Sequence, residues 1–168
     1  MKRGERNALV VADAGPLIGL AKIGRIELLH RLFGSVLIPE AVAAELHLDT
    51  PLPGARALQL AHKQGWLKIQ AVSAVPRRLL ETVDRGEAEA ITLASGRHAL
   101  LLIDERLGRA AAKAEGVTIL GTGAVLIKAK QSGLITSVRT ELHALTDCGY
   151  RLSDALQREL LRLARETK

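Results

Sequence analysis

The sequence is poor in aromatic residues and in cysteine. One phenylalanine, one tryptophan and one tyrosine, at Phe33, Trp66 and Tyr150, make up 2% of the 168 residues. Recognition of unpaired bases by stacking needs several aromatic side chains, so this mode of nucleic-acid binding is disfavoured. The single cysteine, Cys148, excludes an internal disulfide framework and fits a reducing compartment.

Long hydrophobic runs are also missing. No apolar run approaches the ~18–20 residues that a membrane-spanning helix requires. The basic start MKRGERN leads into an apolar stretch that Asp13 interrupts, which disfavours a signal peptide. We therefore expect a cytoplasmic protein without a membrane partner.

Positive charge exceeds negative charge. The chain has 24 lysines and arginines against 18 aspartates and glutamates, which gives a formal net charge of +6. Such an excess favours a polyanionic partner, RNA or DNA, or an acidic protein. Solvated helix faces and a loose tail explain it equally well, because net charge bears on association and not on fold.

Short apolar runs alternate with amphipathic stretches along the chain. The runs predict five strands, near 8–12, 35–38, 67–72, 100–103 and 117–120. The amphipathic stretches predict helices at about 16–32, 40–47, 54–64, 77–96, 105–115, 122–132, 137–147 and 153–166. This alternation is typical of βα units around a parallel sheet. We expect residues 1–168 to form one α/β domain, with the helices of 137–166 packed on it.

Two of the predicted strands end in a carboxylate. Asp13 follows LVVA, and Asp104 follows ALLLI with Glu105 beside it. Ligand sites in parallel sheets form outside the carboxyl ends of the strands. An unpaired buried carboxylate costs ~3–5 kcal/mol, so a cap, a basic neighbour or a cation must offset it. Helix N-capping is the plain alternative for either aspartate alone.

Two glutamates border apolar helix faces. In PEAVAAEL, Glu45 borders the face that Val42 and Leu46 bury. In DRGEAEAITLA, Glu87 extends an apolar stripe, and Asp84 is placed to cap the helix. Both glutamates therefore lie where a helix meets the interior.

The sequence thus contains four carboxylates at the inward margins of strands and helices, which we call the acidic cluster: Asp13, Glu45, Glu87 and Asp104. Such a cluster repels itself unless cations neutralise it, and Mg²⁺ or Mn²⁺ prefer oxygen ligands. Such ions can activate water and stabilise the oxygens of an in-line phosphoryl displacement. An acidic metal pocket in a basic protein suits cleavage of a nucleic-acid backbone, whereas a phosphatase or nucleotidase with similar acids is a weaker alternative.

Other chemistries find little support. The five histidines lack metal-ligand spacing, so no zinc site is predicted. Cys148 has no suitably placed histidine, which disfavours a cysteine nucleophile. The leucine stripe of the last predicted helix is most simply a face packed on the domain, with a dimer interface as the alternative.

The chain resembles the PIN-domain family over nearly its whole length, and within it the branch of VapC-type toxins of bacterial and archaeal toxin–antitoxin pairs. Five segments in this order carry the resemblance: VVADAGPLIGLAKIGRIELL, VLIPEAVAAEL, DRGEAEAITLA, LLIDERLGRAAAKAEGVTILGTGAVLIKAKQSGLI and GYRLSDALQRELL. No segment is specific alone, but their order and spacing are.

The resemblance implies a three-layer α/β/α sandwich with a central parallel sheet. It also implies a Mg²⁺- or Mn²⁺-dependent endoribonuclease that cleaves RNA, a homodimer, and an antitoxin whose tail inserts into the active-site groove. By position, Asp13, Glu45, Glu87 and Asp104 match the family's four catalytic, metal-binding acids. Thr122, in GTG, resembles a position where the family often keeps a polar residue near the pocket.

Some residues depart from the family pattern. Ala14 stands where many members have serine or threonine, and the third acid is a glutamate where aspartate is common. Glu105 could replace Asp104 as the fourth metal contact, and Arg106 or Arg109 could neutralise the pocket without metal. These departures support an alternative, a catalytically weak or inactive PIN-like module that binds RNA or protein.

Overall fold

A five-stranded parallel sheet lies at the centre of the structure, a computed structural model that describes residues 8–167. The strand order is β3-β2-β1-β4-β5. The strands are β1 (Val10–Ala12), β2 (Val36–Pro39), β3 (Leu67–Gln70), β4 (Leu100–Leu102) and β5 (Ile119–Leu120). All five predicted strands are present, each shorter than or shifted slightly from its predicted range.

Helices flank the sheet, which confirms the predicted α/β/α arrangement. Residues 8–167 contain α1 (Ala14–Lys22), α2 (Glu27–Phe33), α3 (Glu40–Glu45), α4 (Ala55–Lys63), α5 (Arg77–Leu80), α6 (Arg85–Arg97), α7 (Arg106–Ala114), α8 (Thr122–Gln131), α9 (Val138–Asp147) and α10 (Asp154–Leu163). None of these helices has the length and hydropathy needed to cross a membrane.

Two predicted helices are each broken into two. The predicted helix 16–32 ends at Lys22, because Gly24 has a φ of +71° that turns the chain before α2 begins. The predicted helix 77–96 is interrupted before Asp84, which caps α6 in a capping box with Glu87. Asp84 therefore has its predicted capping role, but it begins a new helix.

The central strands carry two of the predicted acids to the same edge of the sheet. Strands β1 and β4 pair in parallel, with Ala12 opposite Leu102, and both residues are fully buried. The next residue, Asp13, donates its backbone N–H to the carbonyl oxygen of Leu102 at 2.9 Å. Asp104 follows β4 two residues later, so both aspartates lie at the carboxyl edge of adjacent strands.

The C-terminal helices pack on α8. Leu160 of α10 is buried against Gly123 of α8, whereas Leu156 and Leu163 of α10 are 43% and 51% exposed. The Glu166 carboxylate, after α10, accepts hydrogen bonds from Lys130, from Ser137 and from backbone N–H groups at the start of α9. The chain end is thereby attached to α8 and α9.

Replacing Gly123 with alanine is expected to destabilise the fold. A Cβ at this position would lie 2.5 and 2.6 Å from the two methyl carbons of Leu160, so the Leu160 side chain or α10 as a whole would have to shift. We expect a loss of about 1–2 kcal/mol in the free energy of unfolding, measured by urea denaturation. Gly96→Ala is the matched control, because nothing lies within 4 Å of its added Cβ. Equal stability of the two variants would contradict this packing.

Candidate active site

Asp13 occupies the N-cap position of α1, but its side chain makes no capping hydrogen bond. The residue is only 6% exposed. Burial is the largest influence on the pKa of Asp13 and raises it, although a hydrogen bond from the backbone N–H of Ala14 lowers it. The charges of Asp84, Glu45 and Asp104 raise this pKa further, to about 7. Asp13 is thus at the N-cap position, but its carboxylate does not cap the helix.

Asp104 is held by three hydrogen bonds. Thr122 donates its backbone N–H to Oδ1 at 3.0 Å and its hydroxyl to Oδ2 at 2.5 Å, and the Tyr150 hydroxyl also donates to Oδ2. Because Thr122 is the first residue of α8, the carboxylate satisfies a free N–H at that helix end. Asp104 therefore joins β4, α8 and the segment after α9. Glu105, and not Asp104, is the N-cap residue of α7, and it is exposed.

Glu87 is buried in the first turn of α6. One carboxylate oxygen, Oε2, accepts the backbone N–H of Asp84 at 3.2 Å as part of the capping box. The other, Oε1, lies so close to α7 that a Cβ at Gly108 would be 2.7 Å from it. A glycine at position 108 thus leaves room for this carboxylate between the two helices.

The Glu45 side chain extends from α3 to the start of α6, near Glu87. Its residue is exposed, and its Oε1 lies against Gly86, at a point that a Cβ would occupy. The buried Glu89 carboxylate accepts the backbone N–H of Ala41 at 3.1 Å, which ties the start of α3 to α6. The contact between α3 and α6 therefore delivers Glu45 to the N-terminal end of α6.

Burial and neighbouring carboxylates raise the pKa of both glutamates. Burial, and then the charges of Asp84, Asp13 and Glu105, raise the pKa of Glu87 to about 7. Although Glu45 as a whole is exposed, partial desolvation of its carboxylate, followed by the charges of Asp84 and Glu87, also raises its pKa. The four predicted acids are thus brought to one edge of the sheet, where burial and the neighbouring charges oppose the ionisation of Asp13, Glu45 and Glu87.

The donor chemistry of the acidic cluster fits a divalent cation. In residues 8–167, no three His, Cys, Asp or Glu side chains converge closely enough to form a ready-made metal site. The available ligands are nevertheless carboxylate oxygens, which Mg²⁺ and Mn²⁺ prefer. Arg109 donates to the carbonyl oxygen of Ile103 at 3.0 Å and not to a carboxylate, and Arg106 is exposed. A cation is therefore the group best suited to offset the repulsion.

Two residues of this site were missed as site residues by the sequence analysis. Asp84 was predicted only as a cap, although its charge raises the pKa of Asp13, Glu45 and Glu87. Its position three residues before Glu87 could have indicated this. Burial, and then the Asp104 charge, raise the pKa of Tyr150, so its hydroxyl keeps its proton and donates. No local sequence pattern predicts the contact between Tyr150 and Asp104, because these residues are 46 positions apart in the chain.

The family of the chain follows from a match of nearly its whole length. A family model described as DUF3368, a PIN domain, matches residues 9–166. The chain belongs to the PIN-domain family. PIN domains are generally nucleases and typically use divalent metals. The acidic cluster is therefore the candidate active site of a PIN domain.

Solved structures resemble this PIN domain. A PilT N-terminus domain protein from the hyperthermophilic archaeon Sulfolobus solfataricus P2 is 19% identical, with a TM-score of 0.51 over 72% of this chain and 92% of that chain. A domain of a functionally unknown protein from Methanocaldococcus jannaschii DSM 2661 is 23% identical, with a TM-score of 0.44 over 68% of this chain and 90% of that chain. The first likeness supports the fold alone. No curated protein matches the chain.

Proposed function

We propose that this PIN domain is a divalent-metal-dependent endoribonuclease. The observation that carries the proposal is the acidic cluster, in which the carboxylates of Asp13 and Glu87 are buried at the carboxyl edge of the sheet beside other acidic side chains. A binding module gains nothing from carboxylates that repel one another at the edge of its sheet. A nuclease does, because the same carboxylates can hold the cation that offsets their repulsion.

Each residue of the cluster has a stated part in the proposal. Asp13, Glu45, Glu87 and Asp104 would hold the metal, and the exposed Glu105 is the alternative to Asp104. When bound, Mg²⁺ or Mn²⁺ supplies polarisation of the scissile phosphate and activation of a water molecule. Exposed arginines would attract the RNA backbone, in keeping with the net charge of +6.

The biological role that we propose is that of a toxin in a toxin–antitoxin pair. The resemblance to VapC-type toxins supports this role, and with it a homodimer and an antitoxin that covers the acidic cluster. The exposed Leu156 and Leu163 of α10 offer an apolar face for the dimer. A molar mass of one chain in light scattering would contradict the homodimer.

Cleavage of a structured RNA pool by the purified full chain tests the enzymatic proposal. We expect internal cuts with Mg²⁺ or Mn²⁺ and none with EDTA, because the acidic cluster cannot bind the scissile phosphate without a cation. End-labelled RNA with blocked ends distinguishes internal cuts from end trimming. A phosphate-monoester substrate run in parallel should release no phosphate.

Two results would overturn the proposal. Phosphate release from the monoester without RNA cutting would identify a phosphatase. RNA retention without cutting, by a folded protein free of antitoxin, would identify the binding module that the departures around Asp13 and Asp104 suggest.

A further inference from the structure

We propose that Tyr150 is a positioning residue that fixes the Asp104 carboxylate for metal binding. The inference rests on the proposed function, in which Asp104 is a metal ligand. Tyr150 lies in the turn between α9 and α10, and not at a strand end or a helix start. It nevertheless contacts the carboxylate directly.

The hydrogen bonds on Asp104 are distributed unevenly between its two oxygens. Oδ2 accepts from two hydroxyl groups, those of Thr122 and Tyr150, whereas Oδ1 accepts only the backbone N–H of Thr122. A carboxylate oxygen has about two acceptor positions, so Oδ2 is filled and Oδ1 retains one. The two hydroxyls therefore select Oδ1 as the oxygen left for a cation.

The ring of Tyr150 is fixed by packing on α1. A Cβ at Gly19 would lie 2.7 Å from both Cδ2 and Cε2 of the ring, so the ring rests on the glycine backbone. The backbone N–H of Tyr150 donates to the carbonyl oxygen of Leu145 at 2.9 Å. Gly149, with a φ of +87°, supplies the turn that points the chain back toward α1. The hydroxyl is thus held in place before any ligand arrives.

The helices on either side of Tyr150 in the chain are anchored to the rest of the domain. Leu160 is buried against Gly123, the residue after Thr122, and Glu166 is bound by the start of α9 and by Lys130. Tyr150 therefore lies between two anchored helices, α9 and α10. Groups that orient a metal ligand from behind typically change metal affinity by about 10–100-fold when they are lost.

Tyr150→Phe tests the inference, because it removes the hydroxyl and keeps the ring on Gly19. We expect Mn²⁺ affinity, measured by isothermal titration calorimetry, to fall about tenfold. The thermal unfolding midpoint without metal should stay close to the wild-type value, and cleavage should recover at saturating Mn²⁺. Thr146→Val is the matched control, since it removes a hydroxyl that bonds only the Leu142 carbonyl oxygen in α9.

Gly19→Ala provides an independent variant that leaves Tyr150 unchanged. The added methyl group must displace the ring and with it the hydroxyl, so we expect the same loss of Mn²⁺ affinity. Gly15→Ala, also in α1, has nothing within 4 Å of its added Cβ and should bind Mn²⁺ normally.

A spectroscopic readout follows from the composition. Tyr150 is the only tyrosine, so ring-labelled tyrosine gives NMR signals from this residue alone. We expect Mg²⁺ to shift these signals in the wild-type protein. Unchanged or tighter Mn²⁺ binding in Tyr150→Phe, with an active wild type, would overturn the inference alone. A wild type that binds no metal and cuts no RNA would overturn the proposed function as well.

Discussion

Replacing Asp13 with asparagine is expected to lower metal-dependent RNA cleavage by about 100-fold or more, since it removes a proposed metal ligand itself and not a supporting group. The substitution keeps the size of the side chain and removes its charge. Asp13 is the most central acid of the cluster, because its charge is coupled to those of the three other members, Glu45, Glu87 and Asp104. Its loss therefore affects the whole site and not one edge of it.

Initial cleavage rates across a Mg²⁺ titration measure this effect. Asp49→Asn is the matched control, because Asp49 is exposed in the loop after α3 and should retain full activity. The proposed toxin role gives a second readout: induced expression should arrest bacterial growth for the wild type and for Asp49→Asn, but not for Asp13→Asn. Wild-type cleavage by Asp13→Asn would remove this residue from the site.

The metal-free protein is expected to lose stability as the pH rises from about 4 to about 7. Over this range the unfolded chain ionises its carboxyl groups, whereas folded Asp13 and Glu87 keep their protons, since each has a pKa raised to about 7. The unfolded state then binds fewer protons than the folded state, so the free energy of unfolding falls. We expect the loss to level off above pH ~7, where both carboxyl groups are ionised in the folded protein as well.

Mg²⁺ should reverse this loss where the carboxylates are ionised. A ligand that binds only the folded state stabilises it, and protons compete with metal for the same oxygens. The Mg²⁺-induced rise in the unfolding midpoint should therefore be small near pH ~5 and large near pH ~8, by calorimetry. Asp13→Asn should be more stable than wild type without metal near pH ~8 and respond less to Mg²⁺. Equal stability of the metal-free wild type at both pH values would contradict the raised pKa values of Asp13 and Glu87.

Much of the fold can be predicted from local sequence patterns. Short apolar runs predicted all five strands. The reason is clearest for β1 and β2, which are buried along their whole length and need no polar positions, whereas β3 is partly exposed. Helix ends were harder to predict, since Gly24 and Asp84 divide two apolar patterns that continue in phase across the break. Periodicity reports which face is buried, and not whether the backbone is continuous.

The sequence by itself determined the candidate acids. Asp13 and Asp104 follow apolar strands, and the parallel arrangement alone places both at one edge of the sheet. Glu45 and Glu87 could be identified because Glu45 borders an apolar helix face and Glu87 extends one. A local sequence pattern can identify such acids, because the residues around a buried position are themselves mostly apolar.

Only the tertiary structure decided how these acids are held. Tyr150 donates a hydrogen bond to Asp104, and its ring packs on Gly19. Both contacts join segments that are far apart in the chain. The role of Asp84 as a charge within the site, beyond its cap, depends likewise on where α3 and α6 meet. Such contacts depend on packing between elements, and electrostatic energy depends on distance in space, which the order of residues does not record.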